Sequence, residues 1–123
     1  MTNISHRSRY KKCLLINRLI KKLNLCTSLI ETINLKHLWL NYKHIKSIPS
    51  EIGQLTALQE LYLNNNQIAS IPPEIGQLTA LQGLYLSNNQ MASIPSEIGQ
   101  LSALQWLDFG IIKSHQYHRK LVN

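Results

Sequence analysis

Residues 55–77 read LTALQELYLNNNQIASIPPEIGQ, and residues 78–100, LTALQGLYLSNNQMASIPSEIGQ, differ from them at only four positions. Residues 32–54, TINLKHLWLNYKHIKSIPSEIGQ, keep the same 23-residue period with a looser match. A fourth copy opens at Leu101 with LSALQWLDF before the pattern stops. A fixed period without insertions restricts the chain to repeat architectures, in which each copy takes one shape. A single copy has no second layer against which to bury its leucines. Stacked copies supply that layer to one another, so the apolar positions should form one continuous column.

Within each copy the spacing is L-x-x-L-x-L-x-x-N-x-[IM], then I-P, then E-I-G-Q-L. In the second copy these positions are Leu58, Leu61, Leu63, Asn66, Ile68, Ile71, Ile75 and Leu78. Leu61 and Leu63 alternate around Tyr62, the period-two pattern of a short strand. The Ile71–Pro72 step cannot continue a helix or a central strand, so the chain turns there. Gly76 is expected to let the backbone swing back toward the next strand. Asn66 and Asn89 suit a buried ladder, since an amide can satisfy backbone groups freed at the end of a strand. Lys43 and Ile112 occupy that position in the first and last copies, which limits the ladder to two rungs.

The L-x-x-L-x-L-x-x-N-x-[IL] segment followed by I-P-x-E-I-G-x-L resembles the leucine-rich-repeat family over about residues 32–109. It is most similar to the intracellular type of Ras-pathway scaffold proteins, plant Ras-group proteins and many bacterial proteins. The resemblance implies an α/β solenoid: a short right-handed superhelix with a parallel concave sheet that binds proteins or peptides. It also permits a bacterial effector role. The copies are then 32–54, 55–77, 78–100 and a partial 101–109.

The flanks differ in character. Residues 1–31 carry seven Lys or Arg against Glu31 alone, whereas residues 32–110 carry three basic and five acidic residues. Residues 1–8 read as a disordered basic tail. Over segment 9–25 the helical wheel gathers Cys13, Leu15, Ile16, Leu19, Ile20 and Leu23 on one face and Lys11, Arg18, Lys21 and Lys22 opposite. Residues 9–31 are therefore expected to form an amphipathic helical N-terminal cap and a degenerate half-repeat, with Leu25 and Leu29 one period before Ile48 and Ile52. The basic face of residues 7–22 is also a candidate contact for nucleic acid or an anionic membrane surface. Residues 110–123 are expected to be a tail or a poor cap, or the end of a truncated repeat array. Cys13 and Cys26 do not make a disulfide scaffold and read as buried free thiols. The N-terminal apolar stretch is interrupted by Asn17, Arg18, Lys21 and Lys22, a poor signal-peptide core. The expected location is cytoplasmic, or a host cytosol for an effector.

Side chains alternate across a strand, so residues flanking the strand leucines face the binding side. Three columns result. His37, Glu60, Gly83 and Trp106 precede the first strand leucine; Trp39, Tyr62, Tyr85 and Asp108 lie between the strand leucines or their equivalents. Asn41, Asn64 and Ser87 follow. Three aromatics at 23-residue spacing should stack on adjacent strands, where Tyr and Trp serve as anchors or as cross-strand pairs that stiffen the sheet. The candidate partner-binding residues are Trp39, Tyr62, Tyr85, Asn41, Asn64, Ser87, His37, Glu60 and Trp106. Phosphate-loop and nucleophile-elbow motifs are missing, and His115 and His118 lack companions at zinc-site spacing. The expectation is a non-enzymatic module for a protein or peptide, with no cofactor, metal or small-molecule substrate.

Overall fold

The computed structural model describes residues 14, 17–24, 34–112 and 115–120. Four parallel strands, β1 (His37–Trp39), β2 (Glu60–Tyr62), β3 (Gly83–Tyr85) and β4 (Trp106–Ile112), lie side by side in chain order. A fifth, β5 (His115–Lys120), runs antiparallel to β4. The register repeats without slippage: Leu38 pairs with Leu61, Leu61 with Leu84, and Leu84 with Leu107. Each paired residue of the parallel strands therefore meets its own counterpart one period later, the geometry that equal 23-residue coils impose.

Each coil folds for the same local reasons. The strand is short because only the L-x-L segment alternates. Pro49, Pro72 and Pro95, each with φ −69°, then open 3₁₀ turns at Ser50–Gln54, Pro73–Gln77 and Ser96–Gln100. The turns close through i to i+3 bonds: the Ile52 N–H donates to the Pro49 carbonyl at 3.1 Å, and the Leu55 N–H donates to Ile52 at 3.1 Å. Five residues leave room for a single turn, so in repeats 34–112 the helical half of each coil is 3₁₀ and not α.

The leucines and isoleucines form one core. Leu55, Leu58, Leu61, Ile68 and Ile75 of the second copy are completely buried, as are Leu78, Leu81 and Leu84 of the third. Burial slackens toward the last coil, where Leu107 and Phe109 are still buried. Between coils, Asn66 lies in the core and works in both directions. Its Oδ1 accepts from the Lys43 and Ile45 N–H groups at 3.0 Å each, and its Nδ2 donates to the carbonyls of Leu40 at 2.8 Å and Leu63 at 3.0 Å. Asn89 repeats this with the Ile68 N–H and the Leu63 and Leu86 carbonyls.

The repeated glycines act differently from the turn role expected of them. Gly53, Gly76 and Gly99 have no positive φ. A Cβ on Gly53 would come within 2.5 Å of Gln77 Oε1 and 2.9 Å of the Glu74 carbonyl, whereas on Gly99 it would meet nothing within 4 Å. Close approach of the following coil requires glycine at 53. The left-handed non-glycine positions are instead Tyr42, Asn65 and Asn88, one period apart, together with His44 and Asn24. Asn tolerates that region; Tyr does so at a steric cost.

The segment read as a tail or poor cap carries the end of β4 and all of β5. The pairing shifts register between Asp108 and Gly110, where φ of Gly110 is +67° and its N–H donates to Asp108 Oδ1 at 2.9 Å. At the other end residues 17–22 are helical, Leu19 is fully buried with the core, and Lys22 Nζ donates to both Glu51 carboxylate oxygens at 3.0 and 3.1 Å. Leu23 packs against the same core, whereas residues 9–13, 15 and 16 of the amphipathic segment, the half-repeat leucines Leu25 and Leu29, and both cysteines lie outside the described residues. No helix among the described residues is long and apolar enough to cross a membrane.

Candidate functional site

Because the strand leucines turn into the core, the residues between them are left on the other face of the sheet. Trp39 is 62 % exposed, while Tyr62 and Tyr85 are half-buried against their neighbours. The 23-residue register places these three rings one above another. The Trp39 and Tyr62 centroids are 3.9 Å apart with planes 3° from parallel, and Tyr62 and Tyr85 are 4.6 Å apart at 5°. The spacing follows the strand separation of about 4.8 Å. Asp108 occupies the next place in the same column, opposite Tyr85.

The neighbouring column joins this stack through Glu60. Its Oε1 accepts from the Tyr62 hydroxyl at 3.2 Å and from the Tyr85 hydroxyl at 3.1 Å. Gly83 makes the second contact possible: a Cβ there would lie 2.6 Å from Glu60 Oε1 and 2.7 Å from the Tyr85 hydroxyl oxygen. The carboxylate therefore leans from β2 across β3. Burial and the Glu60 carboxylate push the Tyr85 hydroxyl up to about 12 and raise that of Tyr62 above its ordinary value. Both tyrosines are neutral donors throughout the physiological range. His37 and Trp106 complete the column on β1 and β4, the latter 47 % exposed.

The third column turns partly inward. Asn41 Oδ1 accepts from the Asn64 N–H at 2.7 Å, and Asn64 Oδ1 accepts from the Ser87 N–H at 2.8 Å and the Ser87 hydroxyl at 2.9 Å. Asn41 and Asn64, expected on the binding surface, thus use their carbonyl oxygens to tie coil to coil. The surface that remains is aromatic with one central carboxylate.

Beyond Trp39 the face runs into a groove of about 630 Å³ whose lining includes Lys22, Asn24, Lys43, His44 and Lys46. Sequence reasoning placed basic residues 7–22 near this end and missed Lys43, His44 and Lys46. The available signal was the departure of the first copy from the repeat, where KHIK stands in place of NQIA. Among the described residues no group of three His, Cys, Asp or Glu side chains is placed to hold a metal ion.

A family profile for the leucine-rich repeat region matches residues 11–123. The chain belongs to the leucine-rich-repeat family. Among solved structures it is similar to a leucine-rich-repeat protein of Leptospira interrogans, with 44 % identity and a TM-score of 0.60 over 66 % of this chain. That match spans only 21 % of the Leptospira chain, so this chain corresponds to about a fifth of its length. A search of curated proteins found no match. Family membership carries a general expectation of protein–protein interaction.

Proposed function

We propose that this chain is a non-enzymatic interaction module that holds a peptide or protein segment on the sheet face, which forms the concave side of a right-handed coil. Parallel strands joined by crossovers take the right hand almost without exception. The observation that carries the reading is the Trp39–Tyr62–Tyr85 stack, three large rings in register with Trp39 largely in water. Such rings bury wide area with few rotors to freeze, the property of binding anchors. Four strands span about 15 to 20 Å, enough for an extended peptide or one helix face. A standard interface covers about 800 Å² per partner, so this patch binds with moderate strength and gains from flanking contacts. The helical residues 17–22 act as part of an N-terminal cap, held through Leu19 and the Lys22–Glu51 pair.

Replacing Trp39, Tyr62 and Tyr85 together by alanine tests the reading. Capture of a partner from the native cell should be lost while the thermal transition persists; capture that survives rejects the face as the site.

The cationic groove favours a second reading, in which Lys43, Lys46 and the basic segment 7–22 hold nucleic acid or an anionic membrane surface. Such binding weakens steeply as salt rises. An association indifferent to salt removes this second reading. Either reading suits a cytosolic setting, that of a bacterium or of a host receiving an effector.

A further inference from the structure

We propose that the segment held on the sheet face presents a cationic side chain, arginine above all, to the carboxylate of Glu60. This rests on the reading of the face as the binding surface and adds the chemistry of the ligand.

Charge distribution supplies the first reason. The chain carries a formal net charge of +7, yet the face columns of strands β1–β3 contain Glu60 and no Lys or Arg, and Lys120 enters the register only on β5, opposite Trp106. The second reason is the local geometry. Both tyrosine hydroxyls donate to the same oxygen of Glu60, Oε1, and Glu60 forms no ion pair among the described residues. Oε2 takes no hydrogen bond there, so one oxygen is anchored and the other keeps its accepting capacity. Preorganisation of this kind lowers the ordering cost of binding.

The carboxylate is also half-buried, set against the tyrosine stack over the space that Gly83 leaves. An ion pair formed there is less screened by water than one on an open surface. On β4, opposite Gly83 in the register, Trp106 adds a ring that is 47 % exposed. A guanidinium can donate to Oε2 while its plane lies on an aromatic face, which an ammonium does less well. A carboxylate ligand would meet Glu60 with like charge.

A random peptide library displayed on phage and selected on the full chain tests the proposal. Arginine and lysine should be enriched over the starting library. Glu60→Gln should weaken an enriched peptide about ten- to a hundredfold, since a charge-assisted hydrogen bond is lost. Glutamine retains an accepting oxygen for the tyrosines, and an unchanged thermal transition verifies the fold. Selected peptides without a cation, or an affinity indifferent to Glu60→Gln, overturn the proposal. If the alanine triple variant at 39, 62 and 85 then abolishes their binding, only the cation is wrong; if it binds as before, the face is wrong as well. A selection that yields no ligand overturns both.

Discussion

Replacing Asn66 with alanine removes a buried amide that serves two coils at once. Two backbone N–H groups, of Lys43 and Ile45, lose their acceptor, and the carbonyls of Leu40 and Leu63 lose a donor. A buried polar group left unsatisfied costs about 1–3 kcal/mol, and N–H groups tolerate it less well than carbonyls. Lys43 is exposed, so water reaches part of the gap. Counting the two amides near the low end and the carbonyls at a fraction of that gives about 3 kcal/mol. Asn89→Ala should cost about 1–2 kcal/mol, because Asn89 is half-buried and its Oδ1 accepts from the Ile68 N–H alone. Asn66→Asp keeps the acceptor but sets a charge against carbonyl oxygens, and should be at least as damaging as alanine. Urea unfolding followed by tryptophan fluorescence reads all three, with a slope of about 1–3 kcal/mol per molar at this size. The Asn66→Ala midpoint should fall by roughly 1.5 M on that slope. A midpoint within experimental error of the parent, or a larger loss at Asn89, would refute the shared-amide reasoning.

Gly53→Ala should destabilise by about 1–3 kcal/mol through overlap with Gln77 and the Glu74 carbonyl, whereas Gly99→Ala should be neutral or stabilising by up to about 1 kcal/mol; thermal denaturation of the pair gives the sign. Burial disfavours the Glu51 carboxylate, but the Lys22 ammonium and the local backbone bond outweigh it and hold its pKa below the ordinary value of 4.5. Its contribution is therefore complete above that value and is lost as pH falls through the folded pKa. Lys22→Met should lessen this acid dependence, leaving the part due to the backbone bond and Arg18, and cost about 1 kcal/mol at pH 7, since Lys22 stands half in solvent. Ultraviolet titration of the tyrosines should show the Tyr85 midpoint, about 12, returning toward 10 in Glu60→Gln. The hydroxyl bonds to Glu60 then contribute fully below about pH 10 and are lost as pH rises through the folded value. An unmoved midpoint would mean that Glu60 does not accept from Tyr85.

The apolar column and the aromatic stack are legible in the sequence because both follow from one number, the period. Once Leu61 and Leu84 are equivalent, their burial and the stacking of Tyr62 on Tyr85 leave little freedom. What depends on contact between different columns is not written there. The lean of Glu60 over β3 needs the missing side chain of Gly83, and a lone glycine inside a strand pattern is its only trace. Asn41 and Asn64 look like surface residues by position, but the unpaired N–H groups that follow each strand claim their oxygens. The repeated glycines read as turn residues in the sequence, whereas their φ values and the distance from Gly53 to the next coil show close approach at 53. Antiparallel β5 carries no repeat signature, since pairing through the backbone asks little of the residues that do it.

Hydroxyl-radical footprinting of the folded chain, read residue by residue by mass spectrometry, is the most direct measurement of whether stacked coils leave an aromatic ribbon outside a leucine spine. Trp39 and Trp106 should oxidise fastest, Tyr62 and Tyr85 at intermediate rates, and Leu61, Leu63, Leu84 and Leu86 hardly at all until the chain is unfolded. Tyrosines as protected as those leucines, or leucines oxidised alongside Trp39 in the folded state, would contradict it.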